Sequence, residues 1–221
     1  MQRAYQMYVI PDVIDPKGFE SFNSQLNLTF KGVQDTPIEP GTIIEPQMAK
    51  ELPKISLLTF SEKPKLYTLM MVDPDVPSEE TMSYSEKCHW AAVNVEFDIF
   101  NQTFDAAKAK ACVEYVQPHP QFGSKVHRYI FVALLQGNDG AQTVQPDNVL
   151  ASLDNFSLRQ FTSENNMTVA GMSFFRSEWN KSVDTFYTEV LGAKPPRYGL
   201  PLTFDYNVGK DGNRLPKYEN I

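Results

Sequence analysis

Two nearly unbroken apolar runs, Leu66–Val72 and Ile130–Leu135, dominate the hydropathy pattern of this chain. Both successive faces of each run are apolar, apart from Thr68 and the hydroxyl of Tyr67. That predicts central strands of a sheet covered on both sides. Around them the pattern is less uniform. Gln25–Phe30 and Trp90–Phe97 alternate and read as half-buried strands, and Ile55–Phe60 and Met167–Phe175 read as further strands. Residues 34–54 carry Pro37, Pro40, Pro46 and Pro53 with Gly41, predicting a loop that brackets a short strand at Ile43-Ile44. Residues 1–12 predict a helix end running into a turn at Pro11, and Asn138-Asp139-Gly140 predicts another turn.

The character changes after residue 154. Phe156–Asn165 reads as a short helix with Asp154 or Asn155 as N-cap. Ser177 can cap a second helix whose apolar residues Trp179, Val183, Phe186, Tyr187, Val190 and Leu191 share one face. Gly192 is placed to end it. From Pro195 onward, Pro, Gly, Asn and aromatics predict an extended tail running over a surface. The division is a lead-in segment 1–22, a β-rich domain 23–176, and a helix with extended tail 177–221.

With 221 residues and 42% hydrophobic content, the chain can bury a real core. Its net charge of −7 disfavours a general nucleic-acid binder, because phosphate contacts need Lys and Arg. A local basic patch or a protein partner remains compatible. Cys88 and Cys112 lie in apolar strand-like contexts and read as buried free thiols. A disulfide would suit secretion, but no secretory signal precedes the domain. No apolar stretch reaches the roughly 18 residues of a membrane span. The start, Met1-Gln2-Arg3, does not read as a targeting segment. It implies either a cytoplasmic chain or one whose own N-terminal region lies upstream.

Candidate chemistry sits at the ends of the two apolar runs. Asp73-Pro74-Asp75-Val76-Pro77-Ser78 follows the first, and His127-Arg128-Tyr129 precedes the second. Alone, the aspartates read as turn makers. Beside each other, the two ends line a small polar pocket. Of the three histidines, His89 and His127 fall on it and His119 lies in the loop between. Two imidazoles and a tyrosine hydroxyl supply donors to a phosphate or carboxylate, most readily at mildly acidic pH; Asp73 opposes an anion unless a histidine is protonated. The same groups can be drawn as an acid–base site or as a two-histidine, one-carboxylate metal site. No Gly-x-Ser-x-Gly, phosphate-binding glycine loop or His-Glu-x-x-His occurs.

The motif pair resembles the phosphatidylethanolamine-binding protein family, whose hallmarks read D-P-D-x-P-S and G-x-x-x-H-R-Y. Gly123 stands four residues before His127, Cys88-His89 fits the intervening histidine, and Tyr115–Pro120 fits the proline-rich loop. The resemblance implies a mainly antiparallel β fold with peripheral helices and an anion pocket for phosphate-type head groups. That pocket comprises Asp73, His89, His127 and Tyr129, with Asp75 bracing the loop. It implies neither catalysis nor a metal or other cofactor. Gln117 stands where the family usually has Gly, and its side chain would partly fill the pocket.

The C-terminal part resembles the member of this fold family found in the central protuberance of the mitochondrial large ribosomal subunit. Arg159–Thr162 and Phe175–Trp179 carry that resemblance, with Ile38–Gly41 and Tyr67–Pro77 upstream. It implies a structural role in mitochondrial translation, a matrix location and a vestigial pocket. It also implies a targeting segment upstream of Met1. The partners would be neighbouring ribosomal proteins and rRNA, with Trp179, Arg197, Tyr198 and Arg214 as docking residues. The competing expectation is a soluble module that binds phospholipid head groups or inhibits a protease or kinase.

Overall fold

The computed structural model describes residues 2–17, 22–106, 109, 111–151, 153 and 156–199. In chain order these residues form α1 (Gln2–Gln6), α2 (Val9–Asp12), β1 (Gln25–Thr29), β2 (Thr42–Ile43), β3 (Lys54–Leu58), β4 (Lys65–Ser78) and β5 (Ser83–Phe97). There follow β6 (Ala111–Val113), β7 (Val126–Leu135), α3 (Gly137–Gly140), α4 (Pro146–Ala151), α5 (Leu158–Glu164), β8 (Thr168–Glu178) and α6 (Lys181–Glu189). α2 and α3 are single turns; α3 is the expected Asn138-Asp139-Gly140 turn, with positive φ at all three residues.

A six-stranded sheet has the order β2-β8-β7-β4-β5-β6, antiparallel except for the β2–β8 pair. β4 and β7, which carry the two apolar runs, lie at its centre. Side-chain alternation sends the two faces to two cores. Met70 and Val72 join Ile130, Val132 and Leu134 against Val9, Ile14, Phe156 and Phe161. Tyr67, Leu69 and Met71 join Tyr129 and Phe131 against Leu28, Ile55 and Leu57 of the separate β1–β3 sheet and Phe30 just past β1. Burying each large apolar side chain contributes about 2 kcal/mol, which is why the two apolar runs within these strands carry almost no polar groups. The exception, Thr68, donates its hydroxyl to Gln136 Oε1 at 3.1 Å.

Four local expectations change. β5 is half-buried only at its end: Cys88–Val93 is buried throughout, because β4 and β6 flank it and a core covers each face, while Asn94–Phe97 alternates as expected. The motifs do not cap strands but belong to them, since β4 continues to Ser78 and β7 starts at Val126. α5 begins at Leu158 with Ser157 at the N-cap; Asp154 and Asn155 lie outside the described residues. Glu86 Oε2 accepts from the Leu158 N–H at 2.7 Å, so a distant carboxylate does the capping. Ser177 is not a cap either. It is buried in β8 opposite His127, and Asn180 caps α6 by accepting from the Ser182 N–H at 2.9 Å.

Candidate ligand pocket and its closure

The polar cluster forms on the sheet face that also carries Met71, Trp90 and Phe131. Asp73 follows Met71 on β4, and His127 and Tyr129 follow the same parity as Phe131 on β7. His89 reaches this face through a β-bulge. Met71 pairs with Trp90 and Val72 with Cys88, so His89 is the unpaired residue. Regular alternation would turn it away from Trp90; the bulge re-aims it.

Asp73 is the hub. Its Oδ2 lies 2.7 Å from His127 Nδ1 and its Oδ1 accepts from the Asp75 N–H at 2.9 Å. The Tyr129 hydroxyl is hydrogen-bonded to the same carboxylate and accepts from the His119 N–H at 3.2 Å. Burial, then the nearby Asp73 charge, pushes the Tyr129 phenol well above its ordinary range, so it keeps its proton. On its other side, His127 Nε2 meets Ser124 Oγ at 2.7 Å, and that hydroxyl also lies 2.8 Å from the Gln121 carbonyl. Asp73, His127 and Ser124 thus have the spacing of an orienting acid, base and nucleophile. The relay ends on a carbonyl of its own loop, an arrangement that braces residues 121–127. Asp75 does the neighbouring job. It accepts from the Arg128 N–H at 2.8 Å and pairs with its guanidinium at 2.9 and 2.7 Å. The same guanidinium holds the Met7 carbonyl and Asp12, tying the N-terminal turn to β7.

The other histidines correct the expectation of anion donors. His89 Nδ1 donates to the Val116 carbonyl at 3.1 Å, which leaves Nε2 as a lone-pair acceptor. That atom is buried without a hydrogen-bond partner, 3.9 Å from Asp73 Oδ2. His119 Nδ1 donates to the Gln117 carbonyl at 2.7 Å, and its Nε2 faces the Lys87 ammonium at 3.3 Å. Burial, helped by neighbouring His119 and Lys87, holds His89 well below 6.5. Burial and Lys87 bring His119 down to about 4. Both rings stay neutral at mildly acidic pH. The inner pocket therefore presents acceptors, Asp73 and His89 Nε2, and complements a group that carries a proton. A cation, Lys87, stands beside His119 and Asp73, and motif reading passed over it.

Asp73, His89, His127 and Tyr129 therefore converge as expected, each no more than 1% exposed. His119 joins them, its ring set at a tilt between those of His89 at 4.9 Å and Phe186 at 5.2 Å, with Tyr187 at 5.6 Å. Phe186 and Tyr187 come from α6, so the C-terminal helix roofs the cluster. Gln117 is half-buried and contributes its carbonyl. The Arg197 guanidinium lies over the Trp179 ring while staying partly exposed, and the Tyr198 N–H donates to the Phe122 carbonyl. Arg214 lies outside the described residues. Ser124 and His119 were missed because neither residue is diagnostic in a loop; only the fold brings them to Asp73. Among the described residues, no group of His, Cys, Asp and Glu has the arrangement of a metal site.

Comparison with known proteins gives this geometry its context. The profile of the phosphatidylethanolamine-binding proteins matches residues 34–175. The chain is 29% identical over 182 residues to the large ribosomal subunit protein mL38 of Schizosaccharomyces pombe, covering 81% of this chain and 56% of that protein. It thus spans little more than half of that relative's length. It is 32% identical over 161 residues to CEN-like protein 1 of Nicotiana tabacum, covering 72% of this chain and 81% of that protein. In fold it is similar to a carboxypeptidase Y inhibitor solved with its cognate proteinase, with a TM-score of 0.61 at 22% identity over 80% of this chain and 93% of that one. A Plasmodium vivax phosphatidylethanolamine-binding protein gives a TM-score of 0.57 at 18% identity over 81% and 97%. The profile match covers well over half of the sequence and includes both motifs, so the chain belongs to the phosphatidylethanolamine-binding protein family.

Proposed function

We propose that this chain is a non-enzymatic component of the mitochondrial large ribosomal subunit, acting in the matrix, with its ancestral pocket retained as a structural brace. The observation that carries this reading is the 29% identity to the ribosomal relative over 81% of this chain. That match is longer than the family profile's, which ends at residue 175 within β8. The state of the pocket supports it. Asp73, Tyr129 and His127 are engaged with one another or with their own loops, and α6 lies over them. The net charge of −7 favours contacts with neighbouring proteins over extensive contact with rRNA. Affinity capture of the tagged chain from solubilised mitochondria tests the reading: large-subunit proteins and rRNA should co-purify in stoichiometric amounts, and their absence would reject it.

A second reading, a soluble head-group-binding module or protease or kinase inhibitor, draws on one observation. His89 Nε2 is a buried acceptor without a partner beside Asp73. Gln117→Gly should then raise affinity for a phosphate monoester in calorimetric titration. Heat-free titrations of both forms would remove this reading.

A further inference from the structure

Residues 193–199 do not simply leave the domain. The Ala193 N–H donates to the Tyr187 carbonyl at 2.9 Å, and Arg197 forms a parallel bridge with Phe122. The Tyr198 N–H donates to the Phe122 carbonyl at 2.8 Å. The Arg197 guanidinium sits 5.0 Å from the Phe122 ring centre and 5.4 Å from that of Trp179. These two rings meet edge to face at 4.7 Å. Asp184 on α6 closes the arrangement, accepting from Arg197 Nη2 at 2.7 Å and from Trp179 Nε1 at 3.1 Å. At Gly123 the fit is close: a Cβ there would meet the Tyr198 carbonyl oxygen at 1.6 Å. The glycine of the pocket motif therefore presses its bare backbone against this segment.

Main-chain pairing, a cation between two rings and one buried-side carboxylate are the elements of an extended-peptide recognition site. We propose that the groove between the Phe122-Gly123 loop and α6 is a binding site for an extended segment that carries an arginine and pairs through its main chain with Phe122. It is filled in cis by Arg197 and Tyr198, and its occupancy holds α6 over the pocket. The link is direct. Asp184, which reads the arginine, lies on the same helix as Phe186 and Tyr187, which cover His119. A neighbouring protein that displaced the segment would uncover His119, and one that offered a similar segment would compete for the groove. The inference holds whether or not the chain resides in a ribosome.

Three measurements on the full chain test this. Trypsin should cut the Arg197–Tyr198 bond about fivefold faster in Asp184→Asn, which keeps the Trp179 hydrogen bond but loses the ion pair. Acylation of His119 by diethyl pyrocarbonate should be about fivefold faster in Arg197→Ala than in the unmodified chain. A tethered segment acts at a millimolar effective concentration. A peptide of residues 193–199, added at several millimolar, should therefore restore protection in Arg197→Ala, while the peptide with alanine for arginine should not. Three results would overturn the proposal. The Arg197–Tyr198 bond could be cut in the native chain as fast as in urea. His119 reactivity could be the same with and without Arg197. The two peptides could act alike.

Discussion

Acid should weaken this fold through its buried histidines, and the size of the effect follows from the pocket geometry. His119 and His89 are held neutral in the folded state: burial acts first, with the Lys87 ammonium on His119 and both His119 and Lys87 on His89. In the unfolded chain both protonate near 6.5. Below that pH the unfolded state binds more protons than the folded one, so stability falls as pH drops. For His119 the loss starts near pH 6.5 and is complete near its folded value of about 4. At about 1.4 kcal/mol per pH unit, this amounts to roughly 3 kcal/mol from His119 alone, and His89 adds to it. The titratable groups facing His119 are Lys87, Asp73 and His127; Asp73 opposes the shift but is outweighed. Urea unfolding at half-unit steps from pH 7 to 4 measures the slope. His119→Phe, which keeps a ring against Phe186, should remove about 1.4 kcal/mol per pH unit of it. With only three histidines in the chain, their ring protons can be assigned and titrated by NMR. Midpoints near 6.5 for both His89 and His119 would refute the argument.

Other substitutions test the remaining supports. Asp73→Ala strips the partner from buried His127 and Tyr129 and should cost about 3 to 5 kcal/mol in urea unfolding. Arg128→Leu removes the hold on Asp75, Asp12 and the Met7 carbonyl; it should cost about 2 kcal/mol and raise amide exchange across residues 2–12. Truncation after Arg176 removes the β8 partners of Val126 and His127 together with the roof over His119. It should therefore lower the melting temperature by several degrees rather than leave the core domain intact, as the motif boundaries alone would suggest.

The sequence made the centre of the sheet legible because burial on both faces leaves an unbroken apolar run: Tyr67–Val72 and Tyr129–Leu134 are uniformly buried. The pocket residues were legible only through the family's motifs. Alternation would have turned His89 to the wrong face, since a bulge is invisible to periodicity. The tautomers of His89 and His119 depend on carbonyls of Val116 and Gln117 that no side-chain pattern encodes. That is why the expected donors turned out to be acceptors. The same limit applies after residue 177. Ser177 is a good N-cap by type, yet strand pairing with His127 captures it first, and Asn180 takes the role. Arg197 and Tyr198 had the composition of interface anchors; the strap that folds them onto Phe122 and Trp179 rests on long-range packing.

The assignment to the large ribosomal subunit stands or falls on where the protein sediments. A mitochondrial lysate resolved on a sucrose gradient, at an ionic strength that preserves subunits, places the endogenous protein directly. The account predicts that it peaks with the large subunit and moves with it when assembled ribosomes are split. A protein that stays at the top of the gradient, as a free monomer, would contradict it and leave the soluble binding module in its place.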